Sequence, residues 1–283
     1  MAILNRYVSA MVPIIKQYQG TIDEIIGDAI FVLFGAPTWQ EDDAQRAVAC
    51  AVAMQLAIDT VNEANRREDL PEVEMGIGIH TGPVVVGNVG SPERMKYGVV
   101  GSHVNLTSRI QSYTTGGQIL ISDTTRREVG HILKTGTRME VKAKGIEHPV
   151  TLYEALGIGR PHKLYLPETG ETVVSLAEEV PLRYEIVEAN YLGGESYKGT
   201  LAKLSPKGAE VRLEKSVPIL SNLKMHLAGI GGQKIAGASY AKVTGTIAGS
   251  PTAFSIRFTS SSPEIETFLR GLLSPVAELD PVA

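Results

Sequence analysis

An α+β domain followed by a small all-β barrel is the fold class that the sequence predicts, and three observations predict it. Residues 3–157 alternate stretches of helical period with short strand-length runs, the mark of a layered α/β or α+β domain. Residues 180–260 carry six strand-length runs separated by Gly, Ser, Pro and Asn, the spacing of a small barrel or sandwich. The 283 residues, 43% hydrophobic and 20% charged, supply core for two ordinary domains. The boundaries read as a first domain over 1–157, a linker over 158–179 and a second domain over 180–275.

The first element is a helix over 3–18, because Ile3, Leu4, Tyr7, Met11, Ile14 and Ile15 fall on one face. "IDEIIGDAIFVLFGAP" (22–37) follows, two apolar runs joined by Gly27-Asp28, which predicts a β-hairpin with a carboxylate at its tip. The stretch after it is a long amphipathic helix, with Val48, Val52 and Leu56 on its apolar side. Asp42 and Asp43 at its start and Arg66 and Arg67 at its end suit the helix dipole. "VEMGIGIHTGPVVVGNVG" gives two strands about His80-Thr81-Gly82-Pro83, read as structural, and "HVNLTSRIQSYT" returns to helical spacing. "QILIS", a short helix near 123–131, "RMEVKAKG" and "PVTLYEAL" complete this half. In the second half, "SPEIETFLRGLL" closes the strands with a helix, Ser262 capping it and Pro263 in its first position.

The bulk properties exclude several classes. A formal net charge of -4 leaves no basic footprint for nucleic acid. No window of about eighteen apolar residues predicts a membrane span. A single cysteine, Cys50, set in an Ala-rich helix, excludes an internal disulfide framework and fits a reducing, cytoplasmic setting.

On its residues alone, Asp28 is either a turn residue bonding its neighbours' amides or a metal ligand. Asn105 and Arg109 share a helix face by their spacing, and that face is either solvated or functional. Here the motifs add to the residues. "GTIDEIIGDAIFVLFGAP", "GIGIHTGPVVVGNVGSPERMKYGVVGSHVNLTSRI", "GGQILIS" and "KGIEHPVTLYEALG" occur in the order and spacing of the class III adenylate/guanylate cyclase domain, which residues 3 to about 157 resemble throughout. The resemblance implies a ferredoxin-like fold and a head-to-tail homodimer with active sites at its interface. It implies attack of a ribose 3′-hydroxyl on the α-phosphate of ATP or GTP, releasing pyrophosphate, with two Mg²⁺ or Mn²⁺ ions. Carried onto this chain, Asp28 is one of two metal aspartates. Asn105 and Arg109 serve the ribose and the α-phosphate from the opposite subunit, and Lys142 or Lys144 serves the triphosphate. Glu24 and Gly98 fall on the base-reading positions. A glutamate acceptor suits the donors of guanine, whereas the bacterial look of the chain favours adenylate cyclase.

The family's other metal aspartate belongs to a first strand upstream of the opening helix. The sequence is therefore expected to be a cyclase domain lacking its first strand, with an in-frame upstream segment encoding it. The alternative is a catalytically inactive signalling or dimerisation module. The second half more distantly resembles a PilZ domain through "LAKLSPKGAEVRL", "FSIRFTS" and the closing helix. Ser205 and Gly208 fit that family's turn. Lys203 replaces its acidic or amide residue, and "SLAEEVPLRY" lacks its paired arginines. Binding of cyclic di-GMP is therefore not expected, and a packing or dimerisation module is.

Overall fold

The computed structural model describes residues 1–141, 149–167, 172–187, 195–229 and 233–273. Lys142 and Lys144 lie outside the described residues. The chain forms two compact units, Met1–Pro167 and Glu168–Ala283.

In the first unit, α1 (Ala2–Gln17) buries Met11 and Ile15 completely. The hairpin of β1 (Thr21–Ile26) and β2 (Ala29–Leu33) closes through Gly27-Asp28. Gly27 has φ +63°, the backbone state that Gly adopts without steric cost. The long α2 (Asp43–Arg67) buries Val48, Val52, Met54, Ile58 and Val61. Leu56, placed on the apolar face by its spacing, instead turns outward at 37% exposure. Arg46 of α2 is buried but satisfied, bonding Asp42 at 2.8 Å, the Tyr18 carbonyl at 2.8 Å and Asp43.

Next come β3 (Ile77–Ile79), the hairpin of β4 (Val85–Ser91) and β5 (Arg94–Val100), and α3 (Ser102–Tyr113). After them stand β6 (Ile119–Ser122), α4 (Asp123–Val129), β7 (Leu133–Val141), β8 (Val150–Ile158) and β9 (Leu164–Tyr165). A five-stranded sheet runs in the order β3-β6-β8-β7, with β9 on β8. β3 and β6 are parallel, so a crossover must join them, and the β4–β5 hairpin with α3 provides it. The β1–β2 hairpin is a separate sheet, not hydrogen-bonded to the larger one. Apolar packing ties it in: Ile22, Ile30, Val32 and Phe34 join Met11, Ile15, Met54 and Ile77 in one cluster.

The second unit is a closed six-stranded barrel, in the order β10-β11-β12-β15-β14-β13. Its strands are β10 (Val174–Val187), β11 (Tyr197–Leu204), β12 (Gly208–Leu213), β13 (Asn222–Leu227), β14 (Ser239–Thr246) and β15 (Ala253–Ser261). Alternate residues such as Leu182, Tyr184, Leu223, Met225 and Leu227 fill the interior. Ile265 and Leu269 of α5 (Pro263–Leu273) join that core, and the Ser262 hydroxyl caps the helix. Strand structure extends into the stretch read as linker: β9 lies at 164–165 and β10 starts at Val174. The early part of β10 escaped sequence reading because an irregularity between Ser175 and Val180 breaks the alternation there.

Candidate active site

Asp28 sits in the second central position of the β1–β2 turn and is exposed. Its charge reaches Tyr7 of α1, whose phenol is pushed up first by burial and then by that carboxylate. The Tyr7 hydroxyl itself donates to the Met75 sulfur at 3.3 Å.

Glu24 lies on β1, opposite Phe31, and pairs with Lys96 of β5 at 3.1 Å. Both side chains are about half exposed, so the pair is weak and leaves the Glu24 carboxylate open to a ligand. Between Ile22 and Glu24 the β1 register slips, leaving Asp23 outside the regular pairing. Asp23 Oδ1 is buried and has no hydrogen-bond partner among the described residues. It is also the atom nearest to where a β-carbon on Gly98 would stand, at 3.9 Å. Glu24 and Gly98 are therefore brought to one corner, where β1 meets β5. Asp23 and Lys96 belong to that corner too; the motifs gave neither of them a role in the site.

Asn105 and Arg109 lie one turn apart on α3, Asn105 exposed and Arg109 half-buried. The Arg109 guanidinium makes no ion pair among the described residues. α3 packs chiefly on β3 and β6, so within one chain these two residues belong to a different wall from the Asp28 hairpin. Gly78 permits the close approach: a β-carbon there would stand 2.3 Å from the Gln111 amide nitrogen.

The first turn of α3 is tied to the sheet through His80, which sequence reasoning treated only as hairpin structure, and His103, to which it gave no role. His80 Nε2 and His103 Nδ1 are 2.7 Å apart, and His80 Nδ1 is 2.8 Å from the Ser122 hydroxyl. Ser122 caps α4 through the Thr125 amide, and Thr125 in turn bonds Thr81 at 3.0 Å. Burial, and then the neighbouring His103, lower the His80 pKa to about 4, so this ring is neutral at physiological pH.

Metal chemistry of the cyclase kind needs paired carboxylates around two ions. Asp28 is the one carboxylate in its turn, and no group of three or more His, Cys, Asp or Glu among the described residues is arranged to hold a metal ion. These residues by themselves do not fit a two-ion centre.

Residues 1–154 match the model of the adenylate and guanylate cyclase catalytic domain. Adenylate cyclase 1 of Rhizobium meliloti (strain 1021) is 32% identical over 162 residues, which are 56% of this chain and 24% of that protein. An adenylate cyclase of Anabaena cylindrica is 35% identical over 160 residues, 53% of this chain and 31% of that protein. The chain thus spans about a quarter to a third of the curated relatives it matches. Among solved structures, the guanylyl cyclase Cya2 is 53% identical, with TM-score 0.58 over 59% of this chain and 84% of that one. The adenylyl cyclase CyaB from P. aeruginosa is 33% identical, with TM-score 0.54 over 56% of this chain and 83% of that one. Through its first unit, the chain belongs to the adenylate and guanylate cyclase catalytic domain family.

Proposed function

We propose that the first unit is the catalytic module of a nucleotide cyclase that forms a 3′,5′-cyclic nucleotide and pyrophosphate from GTP. The observation that carries the choice of base is the corner of β1 and β5. It offers the half-exposed carboxylate of Glu24 beside a glycine, Gly98. Acceptors of this kind match the N1–H and 2-amino donors of guanine, which adenine lacks. The 53% identity to a guanylyl cyclase supports the same reading; the curated adenylate cyclases, at 32% and 35%, stand further off. GTP therefore takes precedence over the ATP suggested by the bacterial look of the chain.

In this reading Arg109 meets the charge developing on the α-phosphate and Asn105 orients the ribose. A second copy of the chain brings them to the Asp28 hairpin. In support, Ile25, Ile26, Val85, Val89, Met95, Tyr97 and Val100 are apolar yet exposed on the two hairpins. The lysine of the triphosphate, Lys142 or Lys144, stays a proposal from the motif. One observation favours a second reading, a non-catalytic signalling or dimerisation module: Asp28 has no partner carboxylate in its turn. For the second unit, a PilZ-like barrel without the residues for cyclic di-GMP is supported by the closed barrel and the Ser205–Gly208 turn.

Cyclase assays on the chain with GTP and ATP, each in Mg²⁺ and in Mn²⁺, test these readings. The expected result is turnover of GTP at least tenfold above ATP, in line with about 1.5–3 kcal/mol for a hydrogen bond to a charged group. It should vanish in Arg109→Ala and lose its base preference in Glu24→Ala. A preference for ATP overturns the base assignment. Turnover of neither substrate by a dimeric chain favours the non-catalytic module.

A further inference from the structure

The second unit carries a charge pattern that no packing role explains. In the barrel register Arg183 of β10 stands opposite His226 of β13 on one side and Lys198 of β11 on the other. Alternation sends all three side chains outward, since Leu182 and Tyr184 on either side of Arg183 are buried. The Arg183 and Lys198 charges stand directly opposite one another, and like charges so placed destabilise a sheet.

The cost is not relieved locally. Arg183 and Lys198 make no ion pair among the described residues, and neither does Lys234 on the loop after β13. His226 Nδ1 lies 2.9 Å from the Gly237 carbonyl, which only accepts, so Nδ1 donates there and Nε2 is left for another partner. The row borders a groove of about 840 Å³. Arg183, Lys198, Arg212 and Lys234 line it against one carboxylate, Glu214. Arg212 is held by Glu179, leaving three cations without an ion pair among the described residues in a chain whose net charge is negative. The floor holds Pro181, Gly199 and Thr200, with the edges of Leu182 and Leu227 giving it an apolar part.

We propose that this groove binds a small phosphorylated molecule carrying a di- or triphosphate. A row across three strands spans about 10 Å, longer than one phosphate. Arg forks phosphate oxygens, and Lys supplies point charge. The volume lies within the range of about 300–1,000 Å³ typical of small-molecule sites, and the apolar floor accepts a base or sugar. The site stands apart from the turn that carries the PilZ resemblance. That turn is at the other end of β11, about 20 Å away along the strand, and it spends its Ser205 hydroxyl on the Gly208 carbonyl at 3.2 Å.

The test is titration of the full isotope-labelled chain with inorganic pyrophosphate, and separately with GDP, followed by amide chemical shifts. Shifts are expected at residues 183, 198–200 and 226. They should be lost, with at least tenfold weaker binding, in the double variant Arg183→Ala/Lys198→Ala. Arg109→Ala should leave them unchanged, which separates this groove from the cyclase site. Binding that the double variant retains, or shifts confined to the first unit, overturns the proposal. A second measurement needs no ligand. Arg183→Gln should raise the melting temperature of the free chain by removing repulsion, and a lowered melting temperature would show that the row stabilises the barrel instead.

Discussion

His80 illustrates how a single ring constrains this cyclase domain. Both of its nitrogens are engaged, one with Ser122 and one with His103. Its folded-state pKa is about 4, against about 6.5 for an unperturbed histidine. Between those values the unfolded chain binds more protons than the folded one. The stabilisation from neutral His80 is therefore complete above about pH 6.5 and is lost as pH falls towards 4. Thermal melts at pH 7.5 and pH 5 should show a larger drop in Tm for the wild type than for His80→Gln. Equal drops would place the acid sensitivity elsewhere. Ser122→Ala removes both the cap of α4 and the partner of His80; urea unfolding should report a loss of about 0.5–2 kcal/mol, the usual range for a cap.

For the elements, the decisive contact is between β3 and α3. Gly78 lets the α3 backbone lie directly on the strand, and Gly82 does the same for the His103 ring, which a β-carbon would meet at 2.3 Å. Neither glycine has a positive φ, so an alanine fits the backbone and fails only for space. Gly78→Ala should cost about 1–3 kcal/mol by overpacking, measured by urea unfolding. If Asn105 and Arg109 on α3 serve the proposed cyclase reaction, the same substitution should lower kcat more than it raises KM for GTP. A Gly78→Ala chain of unchanged stability would mean that α3 does not depend on this close approach.

At the scale of the whole molecule, the exposed apolar residues of the two hairpins set the expectation for assembly. Ile26, Val85 and Met95 are 62%, 69% and 59% exposed, and such apolar side chains on two hairpins point to a surface that another chain covers. Sedimentation should show a concentration-dependent dimer, and Met95→Asp should weaken it at least tenfold. On the proposed reading, in which Asn105 and Arg109 act from a second copy, the same variant should lower cyclase turnover in proportion to the dimer lost. A monomeric wild type at micromolar concentration would remove the shared-site reading.

The sequence by itself determined the two-part architecture, the β1–β2 hairpin with Asp28 at its turn, and the shared face of Asn105 and Arg109. Those features rest on local chemistry: Gly-Asp turns, strand-length runs and helical spacing are written in neighbouring residues. Motif order also put Glu24 and Gly98 on the base-reading positions that the resemblance implies. Only the tertiary structure decided what surrounds them. Asp23 Oδ1 stands buried beside Gly98, residues 75 positions apart in sequence joined by the meeting of β1 and β5. Likewise, His80 in the loop after β3, His103 on α3 and Ser122 at the end of β6 come together, and no local pattern marks them as one hydrogen-bonded chain. In the barrel, the row of Arg183, Lys198 and His226 exists only in the register, because pairing across strands depends on long-range closure that spacing along one strand does not encode.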